Sequence, residues 1–176
     1  EWLVKRLNNW LSSSEEKSSF SVHWLGSWVG IGPFILLLKT NFNIKSLDLY
    51  DIDKDSLDAS SGVLNYWQNE NLKIQFHNSD VNSVVYEKDS STDLLLINTA
   101  CEHIVETSWL ERLPKGTKVL LQSTDMKHHE HINCPQDLED FKKKYSDHIQ
   151  INFTDSLFFK YPNFSFTRFM LTGIKN

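Results

Sequence analysis

An α/β fold is predicted: a doubly wound, mostly parallel seven-stranded sheet with a C-terminal antiparallel hairpin and helices on both faces. Three observations predict it. Strand-like runs alternate with helix-spaced segments five times, a pattern that implies right-handed crossovers and a parallel sheet. The run from Leu94 to Asn98 is apolar up to its last residue, as a strand buried on both faces must be. Two long extended segments then close the chain around the turn Tyr161-Pro162-Asn163. The 176 residues suit a single domain, residues 1–176, of which 1–19 form an N-terminal helix and linker.

Leu3, Val4, Leu7, Trp10 and Leu11 fall at helical spacing and predict a helix over 2–11, closed by the polar run 12–19. Phe20 to Leu25 reads as a strand with Phe20, Val22 and Trp24 on one face. The turn from Gly26 to Gly32 holds three of the chain's 6 glycines, and Pro33 is expected to open a helix reaching about Thr40. A strand over 45–50, a helix over 56–68 with Leu57, Leu64 and Trp67 inward, and a strand over 73–76 follow. After the strand at 94–98, Thr107 is expected to cap a short helix ending at Leu113. Pro114-Lys115-Gly116 turns the chain into a strand over 118–122. Pro135 is expected to open a helix carrying Leu138, Phe141 and Tyr145 inward. Strands over 148–159 and 165–174 end the chain.

Composition narrows the function. With 18 basic and 23 acidic side chains the net charge is −5, which argues against a generic polyanion binder. The one dense basic run, Lys142-Lys143-Lys144, reads as the solvated face of a helix. Six Gly and 2 Cys exclude collagen-like and disulfide-rich classes. No run approaches the ~18–20 apolar residues of a membrane span, since Phe34 to Leu38 is cut by Lys39. The N-terminal residues lack the layout of a signal peptide. Cys101 and Cys134 fit a reducing cytoplasm, so a cytoplasmic protein without a membrane partner is expected.

In a doubly wound sheet the ligand binds beyond the carboxyl ends of the strands. After the first strand stands Gly26-Ser27-Trp28-Val29-Gly30, where glycines admit a ligand to the backbone and a helix N-terminus offers free amides. A tight turn without a ligand is the alternative. After the second strand, Asp51, followed by Ile52, is placed to accept ribose hydroxyls, 25 residues beyond Gly26. After the third, Asp80-Val81 is a candidate for an adenine edge, with an ordinary Asx turn as the alternative. After the fourth come Asn98 and then Cys101-Glu102-His103: His103 can take a proton near neutrality, and Glu102 can orient it. Capping of the next helix is their alternative role. After the fifth come Gln122 and Ser123, then a polar loop with His131, Asn133 and Cys134. Cys101, His103, His131 and Cys134 are zinc-type residues, but their spacing matches no standard ligand pair, so no metal is expected.

These residues resemble class I S-adenosylmethionine-dependent methyltransferases, from about Phe20 to the end. Gly26-Ser27-Trp28-Val29-Gly30 resembles the family's glycine-rich motif, and Leu49-Tyr50-Asp51-Ile52-Asp53 its second motif, with Asp51 as ribose ligand. Asp80 is similar to its adenine-side acid. The stretch Cys101-Glu102-His103-Ile104, Trp109, Leu113-Pro114-Lys115-Gly116 and Val119-Leu120-Leu121 resembles the passage from fourth to fifth strand and is the most specific match. The resemblance implies a Rossmann-like fold, S-adenosyl-L-methionine as cofactor and methyl transfer. Two departures stand out: Trp24 occupies the place of the usual acid, and Trp28 that of the middle glycine. Gly26-x-x-x-Gly30-Ile31-Gly32 also resembles the cofactor loop of NAD(P)-binding short-chain dehydrogenases, with Asp80-Val81 and Asn98-Thr99-Ala100 in comparable places. No tyrosine after the fourth strand has their downstream lysine, so that reading ranks below.

The expected function is direct methyl transfer to a small polar acceptor. Gly26, Ser27, Trp28, Gly30, Asp51, Ile52, Asp80, Val81 and Asn98 would bind the cofactor. His103 and Glu102 would serve catalysis, and Cys101, Gln122, Ser123, His131 and Asn133 the acceptor. A small-molecule acceptor is favoured over nucleic acid by the acidic balance. A cofactor-binding module, or a lyase-like protein that cleaves the cofactor, is the alternative that Trp24 and Trp28 favour. The oligomeric state is not readable from the sequence.

Overall fold

The computed structural model describes residues 1–11, 18–86 and 91–176; part of the expected linker at 12–17 lies outside the described residues. In chain order come α1 (Trp2–Leu11), β1 (Ser19–Leu25), α2 (Ile31–Lys39), β2 (Asn43–Asp51), α3 (Lys54–Leu64), β3 (Lys73–Asn78), β4 (Asp93–Asn98), α4 (Ser108–Glu111), β5 (Lys118–Thr124), α5 (Leu138–Tyr145), β6 (Ile149–Lys160) and β7 (Ser165–Lys175). One seven-stranded sheet runs in the order β3-β2-β1-β4-β5-β7-β6. The mostly parallel sheet with a terminal antiparallel hairpin is therefore as the sequence predicts. The chain divides into two compact units, Glu1–Leu96 and Ile97–Asn176.

In the first unit β1, β2 and β3 pair in parallel, with Trp24 opposite Leu49 and His23 opposite Asp48. Phe20, Val22 and Trp24 are buried, as are Leu47, Leu49 and Ile74. Pairing at this register puts Ser21, His23, Asp48, Tyr50 and His77 on the opposite face. The helix α1 buries Leu3, Val4, Leu7 and Leu11.

Several boundaries differ from expectation for local reasons. The second helix starts at Ile31, two residues before Pro33, behind the N-cap Gly30. Pro33 is tolerated in the third position because the amides of a first turn have no intrahelical partner to lose. The helix α3 is capped by Asp53, whose carboxylate accepts the Asp55 amide, and ends at Leu64 in a 3-10 turn, Asn65–Trp67. Trp67 is half-buried there, edge-on to Phe34. In the second unit Thr107 caps α4 without a side-chain bond to its amides. Pro135 precedes α5 by three residues, and the helix begins at the cap Asp137, which accepts the Asp140 amide. Gln122 and Ser123 belong to β5, which reaches Thr124.

β5 and β7, and β7 and β6, pair antiparallel. The hairpin extends to Lys160 and Ser165, where Phe159 and Phe166 stack at 5.0 Å and Tyr161 and Phe164 at 4.7 Å.

Candidate functional site

The β1–α2 loop of the first unit is built from strained backbone held by the end of β2. Gly26, Trp28 and Gly30 all adopt positive φ, at 64°, 48° and 78°. Trp28 is the one non-glycine among the described residues to do so, at a cost of about 1–2 kcal/mol that its surroundings must offset. The offset is visible: its amide donates to Asp51 Oδ2 at 2.7 Å, while Gly26 and Ser27 both donate to the Tyr50 carbonyl. Asp51 Oδ1 accepts the Asp53 amide at 3.0 Å, and its carbonyl accepts the Ser79 amide. Asp51 thus fastens the glycine loop, the start of α3 and the turn after β3 to one point.

Trp28 and Ile52 are exposed, and the Ser27 hydroxyl is buried without a partner. Asp80 lies at the surface and accepts the Asn82 amide at 2.8 Å, an Asx turn that opens the 3-10 turn Val81–Ser83. Trp24 is buried with its ring against Gly32.

On the other face of the same three strands is a cluster that the sequence reading missed. His23 Nδ1 and the Tyr50 hydroxyl share a hydrogen bond at 3.0 Å, and His77 Nε2 is 2.8 Å from Asp48 Oδ1. Tyr50 stacks between the two imidazoles. Burial holds the His23 pKa below the ordinary histidine value, with Asp48 opposing that shift and His77 adding to it. The signal was present in the alternation Ser21/His23, Asp48/Tyr50 and Gln75/His77.

In the second unit the chain leaves β4 through Asn98, whose Oδ1 accepts the Ala100 amide while its Nδ2 is buried without a partner. A 3-10 turn, Cys101–His103, follows. Glu102 does not cap the next helix. It is 4% exposed, its Oε1 lies 3.6 Å from Arg168 Nη2, and its Oε2 has no partner. His103 is exposed, with Nδ1 3.1 Å from the Glu130 carbonyl, and its ring meets that of His131 at 4.7 Å. Asn133 spends its side-chain amide on the carbonyls of Cys101 and Ile104, and Gln122 points its amide at Met170 Sδ.

A cavity of about 380 Å³ opens among Cys101, Ser123, Cys134, Phe141, Lys144 and Tyr145. Burial, with Glu102 adding, pushes the Cys101 thiol up to about 12, the direction that disfavours the thiolate. Burial likewise raises Tyr145 and Cys134 and lowers Lys144. Ser123 and Lys144 line this cavity, and the buried Ser123 Oγ and Lys144 Nζ have no hydrogen-bond partner, although Nζ lies over the Tyr145 ring. Such atoms cluster where a ligand or water completes them. Arg168, Lys144 and Tyr145 were not among the site residues expected from the sequence, which placed Lys144 on a solvated helix face and Tyr145 in the core.

No family model matches the chain, and no curated protein sequence does. Solved structures do match. The N-methyltransferase NodS from Bradyrhizobium japonicum superposes with a TM-score of 0.65 at 12% identity, covering 98% of this chain and 93% of that one. The magnesium protoporphyrin IX methyltransferase ChlM from Synechocystis, solved with bound S-adenosylmethionine, gives 0.64 at 13% identity over 98% of this chain and 78% of that one. YcgJ from Bacillus subtilis gives 0.68 at 13% identity over 98% of both. At such identities the likeness is one of architecture, and the architecture is the Rossmann-like fold of the S-adenosylmethionine-dependent methyltransferases.

Proposed function

We propose that the protein is an S-adenosylmethionine-dependent methyltransferase acting on a small polar acceptor by direct methyl transfer. The observation that carries the reading is the Trp28–Asp51 bond, which fastens a positive-φ glycine loop to the acid at the end of β2. The residues present fit the cofactor. Asp51 keeps lone pairs for ribose hydroxyls beyond the two amides it accepts, since a carboxylate offers about four. Ser27 brings a buried hydroxyl in need of a partner, and Trp28 and Ile52 bring exposed apolar flanks. Gly26 and Gly30 shape the loop, Asp80 and Val81 stand for the adenine side, and Asn98 brings an unpartnered donor.

The sulfonium supplies an already activated methyl, which leaves the protein the task of aligning the acceptor and excluding water. In the second unit Ser123 offers the acceptor a hydroxyl, with Gln122, Cys101, His131 and Asn133 shaping its surroundings. His103 receives or orients the acceptor proton, and Glu102 stands beside it. The cavity volume suits a metabolite, and the net charge of −5 disfavours a nucleic acid held through phosphates.

Calorimetry with S-adenosylmethionine and its demethylated product, beside NAD and NADP, tests the cofactor. Tight dinucleotide binding with no response to the sulfonium overturns the reading. His103→Ala and Glu102→Gln test the acceptor side, and turnover unchanged in both removes their assignment. The second reading, a module that binds or cleaves the cofactor, is favoured by the buried Trp24 in the acid's place. Mass spectrometry of cofactor with protein alone separates the two: fragments without an acceptor mean cleavage, and none mean transfer or binding.

A further inference from the structure

Two imidazoles and a buried carboxylate converge at the 3-10 turn after β4. One oxygen of Glu102 and one ring nitrogen each of His103 and His131 lie within 4.8 Å of one another. The main chain holds both rings by Nδ1, His103 through the Glu130 carbonyl at 3.1 Å and His131 through the Met126 carbonyl at 2.7 Å. A carbonyl only accepts, so Nδ1 carries the hydrogen and the neutral ring keeps its lone pair on Nε2. Metal-binding histidines are oriented in this way, one nitrogen fixed by an outer partner and the other left to coordinate. The third member points the same way. Glu102 has one oxygen toward Arg168 and the other buried with nothing to accept from.

We infer that Glu102, His103 and His131 form a site for a divalent transition-metal cation, with further coordination positions left to water or a ligand. Ligands about 2.1 Å from one ion stand about 3.4 Å apart in a tetrahedron, inside the 4.8 Å span of the three groups, so they must draw together, and the exposed His103 has room to move. Arg168 keeps Oε1 while Oε2 turns to the cation. A second triplet, His128, His129 and Glu130, is also compact, but all three are exposed and it lacks a desolvated carboxylate. The site rests on the Ile97–Asn176 unit alone, and methyl transfer is not needed to observe it; a bound cation occupies Nε2 of His103, so the proton role proposed above for that ring belongs to the metal-free protein.

The full chain, stripped with chelator, is titrated with Zn²⁺ by calorimetry and with Co²⁺ by visible absorption. One equivalent should bind, with the d–d bands of imidazole-ligated cobalt, and Zn²⁺ should raise the melting temperature. His103→Ala, at an exposed position where folding is retained, should weaken binding at least tenfold and abolish the Zn²⁺ shift. Glu102→Gln should do the same, and His129→Ala should bind as the parent does. Absence of saturable one-to-one binding, binding undiminished in His103→Ala, or binding lost in His129→Ala overturns the inference.

Discussion

The amide of Trp28 donates to the carboxylate of Asp51 at 2.7 Å across 23 residues of chain. That acid stabilises a left-handed tryptophan, and it is also the residue proposed above to hold the ribose. Asp51→Ala should lower stability by about 1–3 kcal/mol, because the Trp28 amide loses a charged acceptor. The same change should weaken S-adenosylmethionine binding by about 1.5–3 kcal/mol if Asp51 holds the ribose through charged hydrogen bonds. Trp28→Gly keeps the amide and relieves the strained φ, so its melting temperature should not fall. Equal cofactor affinity in Asp51→Ala and the parent would separate the structural role from the binding role and refute the second.

Gly32 faces the ring of Trp24 so closely that a Cβ there would sit 2.5 Å from Cζ2. Gly32→Ala should cost about 1–3 kcal/mol by overpacking, read as a shift in the urea midpoint. Combining it with Trp24→Phe should cost less than the sum of the two single changes, because the smaller ring makes room. Strict additivity would show that the two residues do not press on each other.

The depressed pKa of His23 sets a direction for acid stability. Above the ordinary histidine value of about 6.5 the ring is neutral folded or unfolded, and its contribution is full. As pH falls below that value the unfolded chain takes up a proton that the buried ring resists, so stability is lost. Urea midpoints measured from about pH 7.5 down to about pH 5.5 should therefore fall, and His23→Gln should fall less steeply. Identical slopes in the two proteins would place the acid sensitivity elsewhere.

Ser123 offers a split between stability and function. Its hydroxyl is buried without a partner, so Ser123→Ala should leave the melting temperature unchanged or raise it. If the hydroxyl receives the acceptor, KM for that acceptor should rise while cofactor affinity stays put. A lower melting temperature would mean that the hydroxyl is bonded within the fold.

The sheet was legible because periodicity and strand-end chemistry agree: apolar β4, the acid that ends β2 and the glycines after β1 all lie where the sequence expects. The helix starts were less so, since Pro33 and Pro135 mark a first turn or its approach without fixing the cap. The His23–Tyr50–His77–Asp48 cluster was hidden because no local run contains it; only the parallel register sets those four side by side. The grouping of Glu102 with His103 and His131 was hidden for a related reason. Spacing rules look for cysteine–histidine pairs, whereas Cys101 faces the Asn98 carbonyl and Cys134 the Met126 carbonyl.

Asn133 has a mechanical meaning beyond its place in the β5–α5 connection. Its amide nitrogen takes the Glu102 carbonyl, and its side chain takes those of Cys101 and Ile104. Two segments some thirty positions apart are riveted at a single residue. Neither can breathe alone: opening one by a few ångströms would shear three hydrogen bonds at once. Slow exchange with solvent on the Cys101–Ile104 side should therefore keep the same clock as that around His131, and a substitution at the rivet would let the two run independently.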